Sequence, residues 1–400
     1  MIAKILQVTT YPIDHPDHGG KLRAFHIRKS LREKFRVETL SFSLGQGDSV
    51  AGLNVCLDHD ACMQVVKHGY LADWGINEYL ESRPELKARV MSAVAEFSPD
   101  IVMLEQPFMW PLIEEMLRDR VIGNALVIYS SQNNECALKK GVYEGIFNEA
   151  DAELNLSRVA EIESGIAKRA DLSLAVTEED VEYLKSMAPE TDVLLYRNGH
   201  QGIDDAPAKS RWQQKFKDYE RNWVFVGSWH PPNIDGLHAL IEGGVNDLPS
   251  GRLKVWVFGN AGPGLMATYN LKESDLPNFS IQGLAETDEI NSAITAATGV
   301  VLPVWGGGGS NLKTAQALLS GKTVVGSKYA FRGFENYMGE PGVFLFDSPA
   351  ELVGGMDSVR ANESFYGRPN AERDLKWENL LSDLPGKIEG YFLKKALRGN

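Results

Sequence analysis

Short apolar runs alternate along this chain with longer segments of helical spacing. The first run is residues 4–9, KILQVT, which stops at the turn-rich stretch 11–20, YPIDHPDHGG. Residues 22–35 then read as a helix, with Leu22, Phe25, Ile27 and Leu31 supplying much of its apolar side. Residues 37–42 read as the next strand, and the alternation recurs at 101–104, 125–129 and 172–176. Strands that alternate with helices predict parallel sheets covered on both faces.

The pattern restarts at 223–226, WVFV, and continues through 254–258, 279–282, 300–304 and 323–326. Between the two series lies 198–211, NGHQGIDDAPAKSR, polar and rich in turn residues, which reads as an interdomain linker. A chain of 400 residues exceeds what one hydrophobic core usually grows to, so two domains are expected. We place them at 1–200 and 201–372, the first completed by a C-terminal helix over 373–400.

Charge changes this picture in two places. The net charge is −13, from 41 basic and 54 acidic residues, which argues against nucleic acid as the main partner. The first 200 residues hold 21 basic and 31 acidic side chains and the remainder 20 and 23, so two similar scaffolds carry unequal fields. Against that trend, residues 21–38 hold Lys21, Arg23, Arg28, Lys29, Arg32, Lys34 and Arg36 against only Glu33 and Glu38. Such a helix suits a solvated face, an anionic membrane surface or a phosphorylated substrate. No apolar run is long enough to span a bilayer, and Cys56, Cys62 and Cys136 lack metal-ligand spacing, so a reduced, cytoplasmic chain is expected.

The strongest chemical signal is WGGGGSNLKTAQ at 305–316. Glycine costs about 0.5–1 kcal/mol relative to alanine inside regular structure, so a run of four implies that bare backbone is needed. It lies between the strand at 300–304 and a helix at 311–320. In open parallel sheets ligands sit at the carboxyl ends of strands, and the unpaired amides of a helix N-terminus favour an anion, most simply a phosphate. Ser310 or Asn311 can cap this helix, and Lys313 lies one turn inside it. A flexible loop with an ordinary cap has the same composition. The turns GSWHPPN at 227–233 and GNAGPG at 259–264 match neither the dinucleotide fingerprint nor the P-loop, which disfavours an NAD enzyme or P-loop ATPase.

The order of these segments resembles the GT-B glycosyltransferases, specifically the retaining family 4 group. The resemblance is carried by Gly19, Gly20 and Arg23; by IYSSQNNE at 128–135, similar to a motif that usually reads HNxE; and by LSLAVTEEDVEYL at 172–184. It continues through Asn198 and Gly199, FVGSWHPPN at 225–233, and the block from Gly306 to AFRGF. It implies an α/β protein of two Rossmann-like α/β/α domains facing each other across a cleft. The C-terminal domain would bind a nucleotide-diphosphate sugar, and the N-terminal domain an acceptor hydroxyl.

Residue by residue, the resemblance puts Gly308 and Gln316 where the family has two glutamates with seven residues between them. Gln316 can still hydrogen-bond ribose hydroxyls, whereas Gly308 offers only backbone. The amides of Gly309, Ser310, Asn311 and Leu312 would hold the diphosphate or sugar, with Gly20, Gly227 and Ser228 also on the donor side. Gln132 stands where the family often has histidine and cannot take a proton at neutral pH. Gln132, Glu135, Arg23 and Lys313 are the expected catalytic residues, the two cations stabilising the departing diphosphate. Gly19 and Asn133 fall on the acceptor side, and Glu105 is a second, weaker carboxylate candidate.

The expected activity is retaining sugar transfer to a glycan or lipid-linked acceptor in polysaccharide biosynthesis, with no cofactor and no metal. A peripheral membrane contact through 21–38 is expected, and no nucleic acid. Asp58 and Asp60, in LDHDA, also fit a DxD metal site, a reading the glycine block disfavours; His15, His18, His59 and His68 lack zinc spacing. Two alternatives stay open: a GT-B-like epimerase or phosphorylase, and a non-catalytic nucleotide-sugar-binding subunit.

Overall fold

A computed structural model of the chain describes residues 2–16, 18–65, 74–145, 147–203, 206–307, 310–359 and 366–398. Two compact units form, one of Met1–Arg197 with Leu381–Asn400, the other of Asn198–Leu380. Residues 373–380, which the sequence reading gave to a helix of the first domain, fall in the second unit, as do residues 198–200.

The first unit is built on eight strands: β1 (Lys4–Val8), β2 (Arg36–Gly45), β3 (Ser49–Ala51), β4 (Asn54–Asp58), β5 (Ile101–Leu104), β6 (Leu126–Ser130), β7 (Leu172–Ala175) and β8 (Val193–Leu195). Their order is β3-β4-β2-β1-β5-β6-β7-β8, parallel throughout except where β3 runs against β4. β5, β6 and β7 are buried at every residue, because helices cover both faces and leave no strand position for water. The short β3, β4 and β8 were not expected, since runs such as SVA and VLL carry too little periodicity to be seen.

The helix Leu384–Arg398 returns to this unit after the second is complete. Lys34 Nζ pairs with Glu389 at 2.8 Å, Lys395 Nζ with Asp171 at 2.8 Å, and the Tyr196 hydroxyl donates to Asp383 at 2.7 Å.

The second unit holds β9 (Arg221–Val226), β10 (Leu253–Phe258), β11 (Phe279–Gly283), β12 (Gly299–Leu302), β13 (Thr323–Ser327) and β14 (Val343–Phe346), all parallel, in the order β11-β10-β9-β12-β13-β14. One face packs Trp212, Phe216, Trp256 and Phe258 edge to face or tilted, with ring centroids 4.9–5.6 Å apart. The other face buries Trp223, Leu237 and Val257. The segment read as a linker, 198–211, bridges through His200 to Lys376 and already begins the helix Lys209–Phe216 at its end.

Each sheet has one place where successive connections reverse direction: between β1 and β5 in the first unit, and between β9 and β12 in the second. At such a switch point neighbouring loops leave the carboxyl ends in opposite directions and open a crevice for a ligand.

Candidate functional site

The glycine block lies at the switch point of the second unit. The helix after β12 spans Leu312–Leu319, with Asn311 at the N-cap. Neither expected cap forms. Asn311 makes no side-chain cap bond, its Nδ2 lying 3.5 Å from the carbonyl of Ala330, while Ser310 Oγ accepts from Asn198 Nδ2 at 2.8 Å. Among the described residues, no acceptor meets the amides of Leu312 and Lys313. Those amides are the orphan donors of a helix start, and they carry its partial positive charge.

Lys313 adds a full charge. Its Nζ donates to Asn233 Oδ1 and stands 5.1 Å from the centroid of the Phe225 ring. No carboxylate pairs with it among the described residues. Burial alone pushes the ammonium down to about 7. Asn233 is itself fixed, donating from Nδ2 to the Ser228 carbonyl at 2.9 Å, so Lys313, Asn233 and Ser228 join the loops after β12 and β9.

The glycine loop is held from its other side. Gly307 has φ +117°, a conformation side chains resist, and a Cβ there would lie 3.1 Å from Pro232. Its carbonyl accepts from the Tyr329 hydroxyl at 2.5 Å and Arg332 Nη1 at 2.6 Å, one just before and one within the AFRGF segment. Gly227 is buried and Ser228 exposed at the end of β9, and Gln316 is half-buried on the helix. Gly308 and Gly309 lie outside the described residues.

The far end of this helix is held by a residue the sequence reading passed over. Arg368, 1% exposed, donates to the carbonyls of Leu318 (2.8 Å), Lys322 (2.7 Å), Pro341 (2.9 Å) and Ala317 (3.4 Å). A guanidinium on the last carbonyls satisfies them and complements the negative helix end. No local pattern marks Arg368, which follows residues 360–365 outside the description.

The first unit's switch point has a different chemistry. Arg23 is 1% exposed, and its Nη1 donates to the carbonyl of Tyr196 at 2.8 Å. Burial lowers its guanidinium to about 10, with Glu105 and Asp180 opposing. Its guanidinium is thus held among groups of the first unit. Glu105, fully buried just after β5, accepts from Gln7 Nε2 at 2.6 Å, and burial raises its carboxyl above the usual range.

Gln132 lies against Gly20. A Cβ on Gly20 would sit 2.5 Å from Gln132 Oε1 and 2.6 Å from the Tyr11 hydroxyl, so glycine there permits the approach. Gly19 and Gly20 open the helix Gly19–Leu31. Asn133 donates to Glu135 Oε1 at 3.2 Å, and Glu135, 2% exposed, begins the helix Glu135–Glu144.

The placed side chains bear on the disfavoured DxD reading and on the basic helix. Asp58 caps the helix His59–Val65, accepting from the amides of Ala61 and Gly47 at 2.8 Å each, which occupies the carboxylate that a DxD metal reading needs. In the basic helix, Arg23 and Arg28 are buried and Arg28 pairs with Asp14 at 2.6 Å. A membrane would meet only the remaining charges, of which Lys34 is already paired. Among the described residues no helix is long and apolar enough to cross a membrane.

No protein-family model and no curated protein sequence matches the chain. Solved structures do. Sucrose-phosphate synthase from Thermosynechococcus elongatus matches over 100% of both chains, at 14% identity with a TM-score of 0.67. HepE of Anabaena, in complex with UDP-glucose, matches over 97% of this chain and 99% of its own, at 17% and 0.61. An alpha,alpha-trehalose-phosphate synthase (UDP-forming) from Burkholderia vietnamiensis matches over 100% and 96%, at 11% and 0.59. The likeness is one of fold, and the fold is GT-B.

Proposed function

We propose that the protein is a glycosyltransferase that takes a sugar from a nucleotide-diphosphate sugar held by the second unit. One observation carries the reading: at the switch point between β9 and β12, a desolvated lysine that no carboxylate meets among the described residues stands beside two amides that no described acceptor answers. A cation buried that way is costly, and a diphosphate would supply the missing anion.

In this reading, Lys313 and the amides of Leu312 and Lys313 stabilise the charge that builds on the departing diphosphate, as an oxyanion hole does. Gln316 would meet the ribose, and the resemblance assigns Gly308, Gly309, Ser310 and Asn311 to the phosphates or sugar. The first unit supplies the acceptor side through Gln132, Asn133 and Glu135. Gln132 orients hydroxyls and takes no proton, so the acceptor's proton passes to the leaving phosphate, which suits a retaining reaction without a metal. The motif order supports the family 4 group and a glycan or lipid-linked acceptor. HepE was solved with UDP-glucose, which makes uridine nucleotides the first to test.

The test is a thermal-shift and calorimetric panel of UDP, GDP, ADP and dTDP, followed by the matching nucleotide sugars. One nucleotide should raise the melting temperature by mass action, and its sugar should be transferred with release of nucleoside diphosphate. Binding by none of the four would overturn the reading. Conversion of the sugar without nucleotide release would indicate an epimerase, and binding without turnover against any acceptor extract a non-catalytic subunit.

A further inference from the structure

Beneath the segment 130–134 lies an acid for which the reaction just described has no use. Glu163 is fully buried in the helix Glu149–Arg169. Its Oε1 accepts from the Tyr129 hydroxyl at 3.0 Å and faces the amide of Glu135 at 3.4 Å, while Oε2 accepts from the Tyr183 hydroxyl at 2.9 Å. Tyr129 is the penultimate residue of β6, and Glu135 is the first residue of the helix Glu135–Glu144. A single carboxyl thus grips both ends of the loop that carries Gln132 and Asn133.

The surroundings leave this carboxyl no other task. Among the described residues no cation pairs with it. The titratable groups facing it are Tyr129 from β6, Tyr183 from the helix Glu178–Met187, and Cys136 and Glu135 from the helix Glu135–Glu144. Burial raises the carboxyl to about 7 against the pull of its donors. A buried acid without a counter-ion is unfavourable as mere packing, where an apolar side chain would fill the space at less cost.

We propose that Glu163 is a positioning residue: by tying the Tyr129 hydroxyl and the Glu135 amide to one carboxyl, it fixes where Gln132 and Asn133 stand and so governs the acceptor side of transfer. The role in transfer rests on reading the first unit as the acceptor half; the clamp itself does not.

The deciding variants are Glu163→Met, which keeps length and bulk but accepts nothing, and Glu163→Gln, whose carbonyl can still serve Tyr129 and the Glu135 amide while its NH2 meets the Tyr183 hydroxyl. Hydrogen exchange of the wild type and both variants would be followed by mass spectrometry, with acceptor kinetics and nucleotide affinity measured in parallel. Glu163→Met should speed exchange over 131–137 by about tenfold or more, with the rest of the first unit within about threefold. It should lower acceptor kcat/KM by about tenfold and leave nucleotide Kd within about twofold, and Glu163→Gln should restore most of both losses. Unchanged exchange over 131–137, or an equal rise throughout the first unit, would overturn the clamp. Local loosening with unchanged acceptor kinetics would overturn the positioning role. If Glu163→Met does not fold, Tyr129→Phe removes one grip alone and should speed exchange over 131–133; wild-type exchange there would also overturn the clamp. Absence of turnover in the wild type would count against the transfer reading, while the exchange result still judges the clamp.

Discussion

The two switch points share a sheet geometry and differ in what they leave unanswered. Between β1 and β5, Glu105 is met by Gln7 and the Arg23 guanidinium rests on backbone carbonyls, so charges of both signs are dispersed within the unit. Between β9 and β12, among the described residues, Lys313 meets an amide oxygen and a ring face and no carboxylate, beside two open amides. A crevice where a buried acid and a buried guanidinium oppose each other's charge suits hydroxyl-rich ligands, and one whose cation meets no described carboxylate suits an anion. Repeating the scaffold therefore leaves the two units free to specialise.

The largest expected effect tests whether the units are separate in stability as they are in chemistry. Arg368→Met strands the carbonyls of Leu318 at the end of the helix Leu312–Leu319 and of Lys322 and Pro341 beyond it, and should destabilise the second unit by about 4 kcal/mol. Calorimetry should then show an early transition for the second unit and an unmoved one for the first. A single merged transition would break the comparison.

Next is the cation itself. Lys313→Met should weaken nucleoside diphosphate binding about 100-fold, near 2.7 kcal/mol. The melting temperature should hold or rise, because the substitution relieves a desolvated charge. The same residue sets a pH dependence. With the free ammonium lowered to about 7, protein above that pH must take up a proton to bind an anion, so affinity should fall by up to about tenfold per pH unit above 7. Lys313→Arg should flatten that profile; a flat wild-type curve in calorimetry from pH 6 to 9 would contradict the assignment.

The smallest effect lies in the first unit. Gly20→Ala places a methyl group against Gln132 Oε1 and the Tyr11 hydroxyl, both side-chain ends that can shift. It should lower acceptor kcat/KM by about three- to tenfold and leave nucleotide affinity alone. Lost nucleotide binding in this variant would show that the two sites are not independent.

These contrasts were only half legible beforehand. The alternation of strands and helices exposed both parallel sheets, because strands covered on both faces are continuous apolar runs such as IVML and LVIYS. Sheet edges such as β3 and β8 were too short to show. The glycines and Lys313 were visible because backbone access and charge are written locally. The surroundings of Lys313 were not, since they depend on Phe225 and Asn233, some 80 positions away. Arg23 and Lys313 look equivalent as letters, and only burial and partners separate them. Glu163 and Arg368 escaped notice for a related reason: each acts on backbone or phenols distant in sequence, and neither belongs to a motif.

The return of the last helix to the first unit has a consequence for synthesis. The chain leaves that unit after Arg197, builds the whole of the second, and comes back only at Leu381. A ribosome therefore completes the second unit, which the proposed reading gives to the nucleotide, while the first still lacks the helix whose Lys395 and Glu389 fasten it. The guest is ready before its host. A chain truncated before Leu381 should keep its grip on a nucleotide while losing the means to use it.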